Sequence, residues 1–373
     1  MKVCLDLRAV TPGAAGIGAF ARSAAEALVG HDGDHQFLAV VHRSAADAFK
    51  PAANVQVLVA GDNWAWSEIE LPALIEEHRI DALFSPLFSC PVVRSARHVI
   101  TLHDVFPESH PELCTQEFLD FWQHRIGPSL RSTCHAVAVS EWSKGLAAEK
   151  LKLSPERVSV VRQSVSPSFR PLEPEHVAPT LAKYGIRGGG YVLYVGALDP
   201  RKNLDRLLGA FLRLSSNDLT LVIVGRAVAA GYDPAASAQQ LGLGERVKFL
   251  GRVSEEDLPA LYSGARCFAF PSLAEGFGRP PVEAMACGVP VVASNRTALP
   301  ETCGNAALLP DAENAAAIAD ALQAACFDDL VRERLIAAGR ARAAEFTSDR
   351  FAADLLAAFE AALAGPKEGL WPG

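Results

Sequence analysis

The strongest constraint on this chain is an alternation of short apolar runs with loops and helical stretches, broken once. The runs fall at 1–7, 35–41, 55–59, 82–85, 98–102, 136–139 and 158–161. They are mostly apolar and do not alternate in and out, which is how strands covered on both faces read in parallel sheets. The helical stretches between them, beginning with the Ala-rich 19–29, provide the crossovers that parallel strands require. The pattern stops at 164–179, where Pro167, Pro171, Pro174 and Pro179 sit in a segment without periodicity. It restarts at 191–195 and continues at 219–224, 247–250, 267–270 and 290–293. Residues 312–364 read as helix, and the tail GPKEGLWPG as frayed. The expectation is an α/β chain of two doubly wound parallel-sheet domains, for which 373 residues suffice.

Charge and cysteine usage remove several function classes. The formal net charge is −8, with an acidic excess on both sides of Arg170, so a nucleic-acid partner is not expected. Lys144, Lys150 and Lys152 form one local basic cluster. It reads first as a solvated helix face, with peripheral membrane contact as the alternative. Eight scattered cysteines include no CxxC pair and no zinc-type spacing with histidine, so no metal site is expected. The start MKVCLDLRAV reads as a strand and not as a signal peptide, and no apolar run approaches the roughly 18 residues that span a bilayer. The expected location is cytoplasmic, with attachment at the inner face of the membrane left open.

In doubly wound sheets ligands bind beyond the carboxyl ends of strands, so the loops there carry the chemistry. The most informative is PSLAEGFGRPPVEAMACGVPVVAS, 271–294. Glu275 precedes Gly276, Phe277 and Gly278, and glycines let backbone amides approach a ligand closely. Pro280 and Pro281 mark a helix start, taken at Pro281, with Glu283 in the first turn. A helix N-terminus there suits an anionic diphosphate, and two carboxylates suit sugar or ribose hydroxyls. Alone, Glu283 reads equally as a helix-start acid and Glu275 as an exposed loop acid; the joint pattern is harder to explain so. The loop GALDPRKN, 196–203, places Arg201 and Lys202 after another strand, where a leaving diphosphate needs cations. In the first half, Gly13, Gly16 and Gly18 separate a strand from a helix, but GxxGxG is not the dinucleotide-binding GxGxxG. His103 and Asp104 follow the run 98–102, and Ser140 reads as a helix cap in SEWS.

Glu275 and Glu283 have the E-x7-E spacing of retaining glycosyltransferases with the GT-B fold, and the segment resembles family 4 of those enzymes in particular. VLYVGALDPRKNLDRLLGAF, VKFLGRVSEEDLPALYSGA and ALPETCGNAALLPD resemble the family's donor domain. The resemblance implies two Rossmann-like domains facing across a cleft: 1–165 for the acceptor, a linker at 166–180, 181–345 for the nucleotide-sugar donor, and 346–373 returning toward the N-terminal domain. It implies that Glu275 contacts the donor sugar and Glu283 the ribose, that Lys202 binds the diphosphate, and that Arg252 and Val253 lie beside the base. Gly16 and Gly18 fall against the donor phosphates and His103 near the transferred sugar, with Asp104 orienting His103 or meeting the acceptor. The family's second diphosphate cation, an arginine, falls at Ala197, and Arg201 is the substitute at hand.

The overall phrasing resembles bacterial mannosyltransferases of polysaccharide assembly, and the resemblance implies retaining transfer of a hexose, mannose from GDP-mannose by preference and UDP-hexoses otherwise. The acceptor is a hydroxyl of a glycan or lipid-linked glycan in cell-surface polysaccharide synthesis. No cofactor or metal is expected besides the nucleotide sugar. Loops 60–67 and 85–95, with Trp64, Trp66 and Phe88, are candidates for acceptor choice. Two other readings stand: a UDP-sugar epimerase, and an inactive nucleotide-sugar-binding scaffold.

Overall fold

The computed structural model describes residues 1–11, 16–31, 33–49, 52–61, 69–89, 93, 95–186, 190–216, 218–228 and 231–371. Gly13, Trp64 and Trp66 lie outside them. The chain forms two compact units, Met1–Ser164 with Thr347–Gly373, and Val165–Phe346.

The first unit holds strands β1 (Lys2–Leu7), β2 (Gln36–Val41), β3 (Val55–Val59), β4 (Ala82–Ser85), β5 (Arg97–Leu102), β6 (His135–Ala138) and β7 (Val158–Val160). They form one parallel sheet in the order β3-β2-β1-β4-β5-β6-β7. The crossovers carry helices α1 (Ile17–Gly30), α2 (Leu71–Glu77), α3 (Phe106–Ser109), α4 (Gln116–Ser132) and α5 (Glu141–Leu151). Local signals set their ends. Ser140 Oγ accepts the Ser143 amide at 3.0 Å to cap α5, and Thr115 Oγ1 accepts the Phe118 amide at 3.3 Å to cap α4.

The second unit repeats the plan with α6 (Pro174–Lys183), β8 (Tyr191–Val195), α7 (Leu204–Leu212), β9 (Thr220–Val224), α8 (Pro234–Gln240), β10 (Val247–Gly251), α9 (Leu258–Ser263) and β11 (Cys267–Phe270). It continues through α10 (Arg279–Ala286), β12 (Val291–Ala293), α11 (Leu299–Cys303), β13 (Ala307–Leu308), α12 (Ala315–Phe327) and α13 (Asp329–Ala343). The sheet is parallel, ordered β10-β9-β8-β11-β12-β13. Its strands are covered on both faces, and Tyr191, Tyr194, Phe268 and Phe270 are buried. This is the reason the strand segments lack alternation.

Helix α14 (Ser348–Ala364) belongs to the first unit. Phe351 meets Phe20 of α1 and Phe359 meets Phe84 of β4, both at 5.4 Å between ring centroids. Each buried phenyl contributes roughly 1.5–3 kcal/mol.

Two expectations need correction. The proline-rich stretch contains α6, starting at Pro174 in the position where a missing amide costs nothing. Pro179 lies inside α6 and forfeits one helical hydrogen bond, a cost offset by burial of Val177 and Leu181. The tail beyond α14 is pinned through residue 371. The Leu370 amide donates to Leu130 O (2.8 Å) and Thr133 O (2.7 Å), and Trp371 Nε1 donates to Leu151 O at 2.6 Å. Among the described residues, no helix is long and apolar enough to cross a membrane.

Candidate active site

In the second sheet the chain leaves β8 toward β9 and β11 toward β12, on opposite sides of the neighbouring pair β8–β11. The loops after these two strands therefore diverge and leave a crevice, the usual ligand position in open α/β sheets. Both loops singled out in the sequence, 196–203 and 271–278, stand at this switch point.

The loop after β8 is built to present two cations. Asp199 accepts the Arg201 amide at 2.8 Å and starts a single turn, Pro200–Lys202. Asn203 ends it in the left-handed region, φ 62°. The Asn203 carboxamide donates to Pro271 O (3.0 Å) and Ala312 O (2.8 Å), tying three loops together. Lys202 is thereby swung into the crevice, where its Nζ donates to Glu275 Oε1 at 2.5 Å and stands 5.3 Å from the centre of the Phe270 ring. Arg201 Nη1 donates to Ala274 O at 2.5 Å and lies 3.4 Å from Glu275 Oε2.

Only 8% of Lys202 and 8% of Glu275 is exposed. Burial lowers the Lys202 pKa, the Arg201 charge lowers it further, and Glu275 opposes both. For Glu275, burial acts upward, but Lys202 and then Arg201 outweigh it and hold the carboxyl below its ordinary value. One carboxylate thus faces two basic side chains.

Glu275 is fixed from behind as well. Its amide donates to Thr297 Oγ1 at 2.9 Å, and its carbonyl accepts the Ala298 amide at 3.3 Å. Thr297 holds φ 53°, a costly backbone for a β-branched residue and a form of strain that clusters at ligand sites. Gly276, Phe277 and Gly278 are buried beside it. Gly278 has φ 90°, and a Cβ there would lie 2.4 Å from Leu299 Cδ2. Thr302 Oγ1 donates to Phe277 O at 2.6 Å.

The helix that follows differs from the expectation. It begins at Arg279, because the left-handed turn at Gly278 serves as its cap, and no acid lies in its first turn. Glu283 sits in the second turn, 4% exposed, where its Oε2 accepts Tyr262 OH at 3.0 Å and its Oε1 lies 2.9 Å from Arg279 Nε. Pro280 and Pro281 carry no amide hydrogen, so the first-turn donors left are the amides of Gly278 and Arg279. The helix end is a weaker anion site than the motif implied, and more of the positive charge comes from Arg201 and Lys202. Arg252, exposed, and Val253, half-buried, follow the edge strand β10. They stand two strand positions from β8, roughly 10 Å away, outside the charged cluster.

In the first unit, β1 and β4 form the corresponding switch point. Gly16 caps α1 with φ 57°, and Gly18 is buried in its first turn. His103 directly follows β5. Its Nε2 must donate to Pro86 O at 2.8 Å, since a carbonyl only accepts, and this leaves Nδ1 as an acceptor. The Phe20 ring packs edge-on at 4.7 Å. Burial lowers the His103 pKa to about 4, against a smaller upward effect of the Pro86 bond, so the ring is neutral at ordinary pH. The tautomer is thus set by Pro86. Asp104 Oδ1 accepts the Phe106 amide at 3.4 Å, at the start of α3.

Sequence reasoning missed Asn203, Tyr262 and Thr297. An Asn closing PRKN, a residue type that tolerates the left-handed region, was the available signal for the first; the other two carried none. Among the described residues no group of three or more His, Cys, Asp or Glu is arranged to hold a metal.

Residues 181–342 match the family described as Glycosyl transferases group 1. O-antigen chain mannosyltransferase B of Escherichia coli is 35% identical over 260 residues, covering 68% of this chain and 68% of that protein. O-antigen chain mannosyltransferase RfbU of Salmonella typhimurium is 32% identical over 231 residues, 60% of this chain and 59% of that protein. Among solved structures, Anabaena Alr3699/HepE in complex with UDP and glucose superposes with a TM-score of 0.74 at 20% identity, covering 96% of this chain and 98% of that one. That likeness establishes the GT-B fold. On the fold and these relatives together, the chain belongs to the glycosyl transferases group 1 family and is a glycosyltransferase.

Proposed function

We propose that the protein transfers mannose from GDP-mannose, with retention of anomeric configuration and without a metal cofactor, to a hydroxyl of a glycan or lipid-linked glycan in cell-surface polysaccharide assembly. The observation that carries the chemistry is the cluster of buried Lys202 and Glu275 with half-buried Arg201 at the switch point of the second sheet. The choice of sugar and pathway rests on relatives described as O-antigen mannosyltransferases. The nucleotide-sugar class is supported by a GT-B neighbour described with UDP and glucose.

On this reading, departure of the diphosphate builds negative charge, and Lys202 and Arg201 meet it, pre-aligned by Glu275 in a site that excludes water. Arg201 takes the part of the arginine that Ala197 does not provide. Glu275 also accepts from a donor-sugar hydroxyl and Glu283 from the ribose. His103 offers Nδ1 to a hydroxyl of the sugar. A lipid-linked acceptor would bring the protein to a membrane surface.

The test is transfer from GDP-mannose to a mannose-terminated acceptor, with the new linkage assigned by NMR and the assay repeated in EDTA. An α-mannosidic product from the α-linked donor, formed equally in EDTA, is expected. A β-linked product overturns retention, and loss of activity in EDTA overturns metal independence.

A further inference from the structure

At the opposite end of the first sheet, where the strands begin, lies a cavity of about 590 Å³. Arg97 at the start of β5, Arg131 in the last turn of α4 and Lys367 beyond α14 line it, with Asp81 and an apolar wall that includes Val93 and Leu363. None of these residues belongs to the site described above. Three cations share the space with one carboxylate, and the Asp81 carboxylate already accepts the Lys2 amide at 2.7 Å. The ends of α4 and α14 add partial negative charge of about half a unit each, so the lining remains net positive.

Arg97 donates through Nη2 to Leu363 O at 3.4 Å, whereas its Nη1 is buried with no hydrogen-bond partner among the described residues. A buried donor of this kind calls for an acceptor. The segment carrying Lys367 is held in place by the bonds of Leu370 and Trp371, and Arg157 Nη1 donates to Gly369 O at 2.9 Å. The backbone that carries this cation is thereby fixed beside the cavity. A guanidinium pair and an ammonium match phosphate oxygens, and the volume exceeds what inorganic phosphate alone would fill.

We propose that this cavity binds a phosphate-bearing ligand, its phosphate held by Arg97, Arg131 and Lys367 and its remaining part against the apolar wall. A dissolved phosphate ester and a lipid phosphate headgroup share this chemistry. Arg131 and Lys367 are exposed, so Arg131→Gln/Lys367→Gln removes two charges without threatening the fold. Calorimetry with pyrophosphate, and co-sedimentation with phosphatidylcholine vesicles with and without phosphatidic acid, are run on wild type, this double variant and Lys202→Gln. The expected result is a binding signal that survives Lys202→Gln and weakens about tenfold in the double variant. A pyrophosphate signal identifies a dissolved ligand, and a signal confined to phosphatidic acid vesicles identifies a headgroup. The proposal falls if neither probe binds, or if the double variant binds as well as wild type. It falls too if the one signal is lost in Lys202→Gln and kept in the double variant; that signal would belong to the donor site.

Discussion

Burial and the Arg201 charge lower the Lys202 pKa, and Glu275 is the partner that opposes them. Removing that carboxylate removes the raising influence, so the ammonium loses its proton at lower pH. In Glu275→Gln the alkaline limb of the pH–rate profile therefore moves to lower pH, in addition to any fall in rate. A limb that stays in place would show that Lys202 does not need its charge for turnover. His103 makes the opposite case, since its ring is neutral and its Nε2–H is committed to Pro86. Its ring nitrogens, followed by NMR from pH 8 to 5.5, should report one Nε2–H tautomer and no titration. A midpoint near the ordinary value of 6.5 would contradict the geometry.

At the scale of elements, the site depends on how loops are tied. Asn203 links the segments after β8, β11 and β13 through one carboxamide. Asn203→Ala leaves two buried carbonyls short of a donor and puts a Cβ residue without a local hydrogen-bonding side chain at φ 62°. A loss of about 2–4 kcal/mol in unfolding free energy is expected, with weaker donor binding. An unchanged urea midpoint would refute this role. Strands β1 to β12 were legible in the sequence because parallel strands buried on both faces spell apolar runs, whereas β13, two residues long, was not. Lys202 and Glu275 could be singled out because each follows such a run. Helix α6 was not, since Pro179 hides a buried Val177/Leu181 pair. Nor was the start of α10, because a left-handed Gly278 moves the cap ahead of the two prolines. Asn203 to Ala312 and Tyr262 to Glu283 are contacts across 109 and 21 residues, which no local pattern announces.

For the molecule as a whole, acid sensitivity should concentrate in the first unit. His98 and His135, buried, and His103, half-buried, all have pKa values lowered to about 4, chiefly by burial. Unfolded histidines take up protons near 6.5 and these do not, so stability is full above pH 6.5 and is lost as pH falls toward 4. Both His98 ring nitrogens are buried without a partner among the described residues. His98→Leu should accordingly be near neutral in melting temperature at pH 7.5 and stabilising at pH 5; an effect independent of pH would contradict the linkage. The central claim is that the cluster in the second unit binds the donor diphosphate. The most direct test is calorimetric titration of wild type and Lys202→Gln with GDP-mannose, GDP and the UDP, ADP and dTDP counterparts. The account predicts selective binding of the guanine nucleotides, weakened at least about tenfold in Lys202→Gln. Equal affinity in the folded variant, or no binding to wild type, would contradict it.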